Sequence, residues 1–282
     1  MKIKLLFKWI RSGLTSGVLL LHYWFWYFIR YSNHPEKYPI EKRYGMVRRA
    51  CVPILKHFRA DLRIEGLDNL KESLDSGKGT LVVMNHLSIF DMLTVIMASE
   101  KPVTFIAKKE LRKTPLLGRA TRSIDALLLD RDDPRQAITV FQKAAEVGKN
   151  KGIVCVYPEG TRNKNPLETP VADFHPGSFK VALRGECNIV CISCFGTFRY
   201  LAGPTAYRSS PVNMHIHKMI PYEEIKGLNT TQLAEKCHKI INDEVDLLKI
   251  KDKEYLEAGF HKKKGPKWWK QSPALEAMGK KK

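Results

Sequence analysis

The sequence predicts an α/β protein: a mainly parallel central sheet with helices on both faces, preceded by an N-terminal membrane-associated helical segment. Three observations predict it. From Gly79 onward, short apolar runs are continuous rather than alternating, the pattern of strands buried on both faces. Helical patterns separate those runs, as they do between the strands of a parallel sheet. Ahead of this body lies Ser12 to Ile29, 18 residues without a formal charge.

That first segment carries Val18-Leu19-Leu20-Leu21 and an aromatic run from Tyr23 to Phe28, with Lys2, Lys4, Lys8 and Arg11 before it and Arg30 after it. As a helix it would be about 27 Å long, at the lower edge of a bilayer span. Basic flanks on both sides favour insertion into one leaflet or the interface over a simple span. The bulky aromatic run and the lack of a small-x-small site disfavour a cleaved signal peptide. Residues from Pro39 to Ala60 read as a second, basic interfacial helix bent at Pro53.

In the body, Thr80–Met84 reads as a buried strand and Ser88–Ser99 as a helix, with Ser88 and Asp91 as its capping box. Val103–Ile106 is a strand, Pro115–Arg122 a helix and Ala126–Leu129 a strand. Asp133-Pro134 opens a helix to Val147, with proline in its first turn. Ile153–Tyr157 and Ile189–Ser193 are further strands, and Met214–Ile220 an edge strand. Thr230–Lys249 is a helix with Leu233, Cys237, Ile240, Ile241, Val245 and Leu248 on one face. Gly265 onward reads as a mobile tail. The expected divisions are residues 1–60, 61–260 and 261–282.

The 282 residues carry 48 Lys plus Arg against 29 Asp plus Glu, a net charge of +19. Residues 1–60 account for +10 and residues 262–282 for +7, leaving +2 on the body. All five tryptophans, Trp9, Trp24, Trp26, Trp268 and Trp269, lie at the same two ends. Basic residues mixed with Trp suit an anionic membrane surface. Nucleic acid, the other partner such charge admits, is disfavoured by the nearly neutral body.

Two strand-to-loop junctions carry chemistry. Thr80–Met84 leads into Asn85-His86-Leu87-Ser88-Ile89-Phe90-Asp91. An Asp91 carboxylate on one imidazole nitrogen of His86 would fix the tautomer and leave the other nitrogen as a base. Spacing alone favours the plainer reading, a capping aspartate and a loop histidine. With no G-x-S-x-G nucleophile elbow, the base would act on a substrate hydroxyl. Ile153–Tyr157 leads into Pro158-Glu159-Gly160-Thr161-Arg162, where glycine allows close backbone approach and arginine offers a fork for phosphate. Phe174-His175-Pro176-Gly177-Ser178 then opens a helix, another anion seat.

These blocks, with Ala107-Lys108-Lys109-Glu110-Leu111, Pro115-Leu116-Leu117-Gly118 and Leu129-Asp130-Arg131 between them, resemble the glycerolipid acyltransferases, in particular the bacterial 1-acyl-sn-glycerol-3-phosphate acyltransferases. The resemblance covers about residues 80–200. It implies acyl transfer from acyl-CoA or acyl-carrier protein to the sn-2 hydroxyl of lysophosphatidic acid, with no metal or cofactor. It implies His86 as base and Asp91 as its orienter. Arg162, Lys108 and Arg131 would hold the acceptor phosphate, and Glu159, Gly160 and Thr161 would shape that subsite. Asn85, or main-chain N–H groups near the helix start, would meet the oxyanion. It further implies anchoring to one leaflet, with the catalytic domain on the cytoplasmic side. Asp125 stands where the family has a small residue, His175 where it often has lysine, and residues 188–193 lack the family's strand proline. A different glycerol-based acceptor, or a silent membrane-binding protein, are the competing readings.

Other motifs point nowhere. Cys187-x3-Cys191-x2-Cys194 has iron–sulfur spacing but falls within a strand, whose alternation would scatter the thiols. His215 and His217 share a strand face without a third ligand. Ser76-Gly77-Lys78-Gly79-Thr80 precedes a strand instead of following one, as a phosphate loop must.

Overall fold

The computed structural model describes residues 28–202 and 207–268. The uncharged N-terminal stretch and the end of the basic tail lie outside the described residues, apart from their inner ends. Among the described residues no helix is long and apolar enough to cross a membrane.

Seven strands form one sheet: β1 (Ala60–Glu65), β2 (Thr80–Met84), β3 (Val103–Lys108), β4 (Leu127–Leu129), β5 (Ile153–Val156), β6 (Asn188–Phe195) and β7 (Ser210–Ile216). Their order is β1-β7-β6-β2-β5-β3-β4. The pairs among β6, β2, β5, β3 and β4 are parallel. β7 meets β6 antiparallel and β1 parallel. The sheet is thus mixed, with two strands reversed at one side. β7 is not the edge strand expected, because β1 covers its outer side. β1, Ala-Asp-Leu-Arg-Ile-Glu, alternates polar and apolar residues and lacks the continuous apolar run of the central strands.

Helices α1 (Ile29–Asn33), α2 (Ile40–His57), α3 (Leu67–Asp75), α4 (Asp91–Ala98), α5 (Pro115–Ser123), α6 (Pro134–Lys149), α7 (Lys180–Gly185), α8 (Arg199–Ala202), α9 (Tyr222–Ile225) and α10 (Thr230–Glu257) surround it. Local chemistry sets their starts. Asp133 accepts the N–H groups of Arg135 and Gln136. Asn229 and Gln232 form a reciprocal capping box at α10.

Each central strand splits its side chains between two cores. Val82, Met84, Val190, Ile192 and Cys194 join one, with residues of α2 and α4. Leu81, Val83, Val154, Val156 and Cys191 join the other, with Phe179 of the turn before α7 and α10. That double burial explains the continuous apolar runs. It also separates Cys191 from Cys194, so the iron–sulfur spacing has no spatial counterpart. All six cysteines are buried free thiols.

Two expectations about the ends change. Tyr44, Met46, Val47, Ala50, Cys51, Val52 and Leu55 of α2 are buried in the same core as the sheet. The division expected at residue 60 therefore does not separate two hydrophobic cores. At the other end Trp268 is 2% exposed and joins that same core, so the chain is packed as far as that residue. A tryptophan assigned to the membrane interface on composition is a core residue here.

Asp125 has a structural account. It lies at φ 51° in the turn before β4, a left-handed conformation that a residue without a side chain adopts most readily. What the aspartate adds is a two-pronged ion pair: Arg43 of α2 donates Nη1 and Nη2 to its two oxygens at 2.8 and 2.7 Å. Arg43 also donates to the carbonyls of Ser123 and Tyr38. Asp125→Ala is expected to destabilise the fold more than Asp125→Gly, by about 1 kcal/mol, because both lose the pair but only alanine keeps the backbone strain. Denaturant unfolding of the two variants checks this.

Candidate active site

Five parallel strands end at one edge of the sheet, the usual position for ligand chemistry in this architecture. β2 delivers His86 there, β3 Lys108, β4 Arg131 and β5 the loop from Tyr157 to Arg162. His86, Lys108, Arg131, Gly160, Thr161, Arg162 and His175 all line one cavity of about 590 Å³. Its remaining lining is largely apolar, including Ile89, Met92, Ile106, Leu129, Phe141 and Val156.

The helix after β2 begins at Asp91, not Ser88, and only half of the expected capping box is made: Asp91 accepts the Ser88 N–H, whereas Ser88 Oγ accepts from Phe90 N–H and not from Asp91. The carboxylate turns back. Its Oδ2 accepts from the N–H groups of Leu87 and Ser88 at 2.7 and 2.8 Å, and lies 2.8 Å from His86 Nδ1. Its Oδ1 accepts from the Thr197 hydroxyl. These donors stand in for the water that a fully buried carboxylate has lost. As an acceptor it requires the His86 proton on Nδ1, which leaves the Nε2 lone pair for substrate. The imidazole is 17% exposed and stacks on the Tyr157 ring, 4.3 Å between centroids at 26°.

The β5 loop grips the main chain of His86 on both sides. Glu159 Oε1 accepts the His86 N–H at 2.5 Å, and Asn163 N–H donates to the His86 carbonyl at 2.8 Å. The other Glu159 oxygen accepts from Ala172 N–H. Burial pushes the Glu159 carboxyl up, against the N–H donors that pull it down. Glu159, expected at the acceptor subsite, is a buried bracket between loops and not a lining residue. Gly160 sits at φ 68°, and a Cβ there would lie 2.9 Å from His175 Nε2. Glycine is thus needed both for the turn and for the room.

Asn85 is displaced from its expected role too. Its amide donates to the Cys194 carbonyl at 2.9 Å and accepts from Cys194 N–H at 2.8 Å, and the residue is 1% exposed. It ties β2 to β6 and does not line the cavity. The N–H groups of His86, Leu87 and Ser88 are likewise engaged, so these are not free to meet an oxyanion.

Lys108 lies 3.5 Å from Glu110 and is half exposed. Arg131 and Arg162 are exposed and, among the described residues, pair with no carboxylate. Three cations thus face the cavity holding the imidazole, with one carboxylate near one of them. Such a surplus suits a multiply charged anion. Among the described residues no group of three His, Cys, Asp or Glu is placed to hold a metal. His215 pairs with Glu244, and burial beside His215 pushes the His217 imidazole down to about 4.

Thr197 and the Tyr157 stacking escape a reading of local motifs. Thr197 follows the carboxyl end of β6, so its position at the chemistry-bearing edge was the available signal.

A buried carboxylate, the imidazole it holds and a cleft carrying three cations thus lie together at one edge of a doubly covered sheet. Residues 61–195 match a family model described as Acyltransferase. The chain is 32% identical to a probable 1-acyl-sn-glycerol-3-phosphate acyltransferase of Mycoplasma pneumoniae, over 61% of this chain and 63% of that protein. It is 27% identical to the protein of the same description from Mycoplasma genitalium, over 76% of this chain and 81% of that one. The matched region thus spans somewhat under two thirds of the first relative's length. The fold is also that of the 1-acyl-sn-glycerophosphate acyltransferase PlsC from Thermotoga maritima, with a TM-score of 0.60, 23% identity and coverage of 88% of this chain and 95% of that one.

Proposed function

We propose that the protein transfers a fatty acyl group from acyl-CoA or acyl-carrier protein to the sn-2 hydroxyl of lysophosphatidic acid, giving phosphatidic acid. The observation that carries this reading is the shared cavity. His86, with its free Nε2, opens onto the same space as Lys108, Arg131 and Arg162. The relatives' descriptions supply the substrate class.

In this reading the cations hold the acceptor phosphate and place its free hydroxyl at Nε2. His86 takes the hydroxyl proton as the oxygen attacks the thioester carbonyl. Asp91 stabilises the resulting imidazolium. Collapse of the tetrahedral intermediate breaks the carbon–sulfur bond, and His86 returns the proton to the departing thiolate. The apolar lining gives the acyl chain a dry surface. The reaction needs no metal or bound cofactor. The basic ends hold the protein to an anionic membrane surface with the catalytic domain on the cytoplasmic side, and nucleic acid is not a partner.

The test is purified protein on anionic vesicles with radiolabelled acyl-CoA or acyl-carrier protein. Lysophosphatidic acid, glycerol 3-phosphate and lysophosphatidylcholine are offered separately. Labelled phosphatidic acid from the first is expected. Product from either rival in its place overturns the acceptor assignment.

A further inference from the structure

We propose that Thr197 is a positioning residue for the His86–Asp91 pair, fixing the charge distribution on the Asp91 carboxylate and so the basicity of the imidazole. The proposal builds on the assigned role of His86.

The donors to Asp91 divide unequally. Oδ2 carries His86 Nδ1 and the Leu87 and Ser88 N–H groups. Oδ1 has the Thr197 hydroxyl. Those on Oδ2 come from the chain just before Asp91, whereas Thr197 is 106 residues away in sequence. Both Thr197 and Asp91 are 0% exposed, so water does not readily replace the hydroxyl.

The surrounding geometry holds Thr197 in place. Cys194, three residues earlier, is fastened to Asn85 through both main-chain groups. Gly196 turns the chain at φ 116°, and a Cβ there would lie 2.2 Å from the Pro211 carbonyl oxygen. Only glycine fits that approach, and it aims the next residue under Asp91. Thr197 O–H donates, because an ionised carboxylate only accepts.

The electrostatic consequence has a sign. A donor on Oδ1 draws negative charge away from Oδ2. The other ionisable groups around the imidazole are Tyr157 and Glu159 of the β5 loop and Lys108, Arg131, Arg162 and His175 across the cavity. They are the same with or without the hydroxyl, so its removal concentrates charge next to the imidazole and in this buried setting favours the imidazolium. The base is then protonated at higher pH. The carboxylate also loses a fixed contact, so the ring is held less firmly. Thr197→Val removes the hydroxyl at nearly constant volume, Thr197→Ala removes it with the methyl group, and Thr197→Ser keeps it.

The experiment reads two quantities. In acyl-transfer kinetics, Thr197→Val is expected to lower kcat about tenfold with acceptor KM unchanged. The acid limb of its pH profile should move to higher pH, and Thr197→Ser should restore both. Separately, the His86 ring titration is followed by NMR in the protein without substrate, where acyl transfer plays no part. Its midpoint should rise in the Val variant and remain in the Ser variant. Thr197→Ala repeats both measurements, with thermal melts confirming a folded chain. An unmoved midpoint in both hydroxyl-free variants overturns the proposal. So does a serine variant as altered as the valine one. Failure of the lysophosphatidic acid assay with a shifted midpoint would instead count against the proposed substrate.

Discussion

His86→Ala is expected to lower turnover by about three orders of magnitude, with the melting curve nearly unchanged. The imidazole is partly open to the cavity, and its removal leaves Asp91 with the Leu87, Ser88 and Thr197 donors. The carboxylate therefore keeps most of its compensation for burial. Asp91→Ala behaves differently. It strips the acceptor from two main-chain N–H groups and a buried hydroxyl, so it should cost several kcal/mol of stability as well as activity. Comparing both variants by single-turnover kinetics and denaturant unfolding separates loss of the base from loss of its scaffold. Turnover within tenfold of the unaltered protein in the His86 variant would refute a general-base role.

Arg162→Ala carries the second large effect. Arg162 faces the cavity and no carboxylate among the described residues competes for it. A charge-assisted, two-pronged contact with phosphate contributes about 2–3 kcal/mol. Its loss should raise acceptor KM on the order of a hundredfold. Donor KM should barely change, and melting should stay the same because the side chain is exposed. Arg162→Lys should recover part of the effect, since an ammonium keeps the charge but not the fork. A KM effect confined to the acyl donor would place the phosphate elsewhere. Lys108→Ala should show a smaller effect in the same direction, as Glu110 already draws on that charge.

The division between what the sequence reveals and what it hides follows contact distance along the chain. His86 and Asp91 are five residues apart, and the strand ahead of them is a continuous apolar run. Both are visible locally, although spacing alone could not tell a helix cap from a charge partner. Arg162 is visible for the same reason. Asn85, Glu159 and Thr197 are not, because their roles lie in bonds across the sheet. Asn85 binds Cys194, Glu159 binds His86, and Thr197 binds Asp91. A polar residue beside a candidate base looks like part of the chemistry until its partner is known. The reversed strands were obscured for a related reason: β1 reads as a polar stretch until it is laid against β7. Trp268 looked interfacial because composition assigns residues to regions of sequence, whereas the core is assembled from several regions.

The tie between Arg43 and Asp125 has a mechanical consequence. Arg119 of α5 adds a second tie, donating to Ser32 Oγ at 3.1 Å and Asn33 Oδ1 at 2.9 Å, just after the point where the described chain begins. Gly118 meets the Arg112 carbonyl so closely that a Cβ would lie 2.4 Å from it. The turn that carries Leu111, the helix after it, and the approach to Arg131 are therefore bolted to the first two helices. The wall of the cavity from Leu111 to Leu129 thus keeps a fixed relation to α1 and α2, so any displacement of those two helices is carried to the cavity mouth.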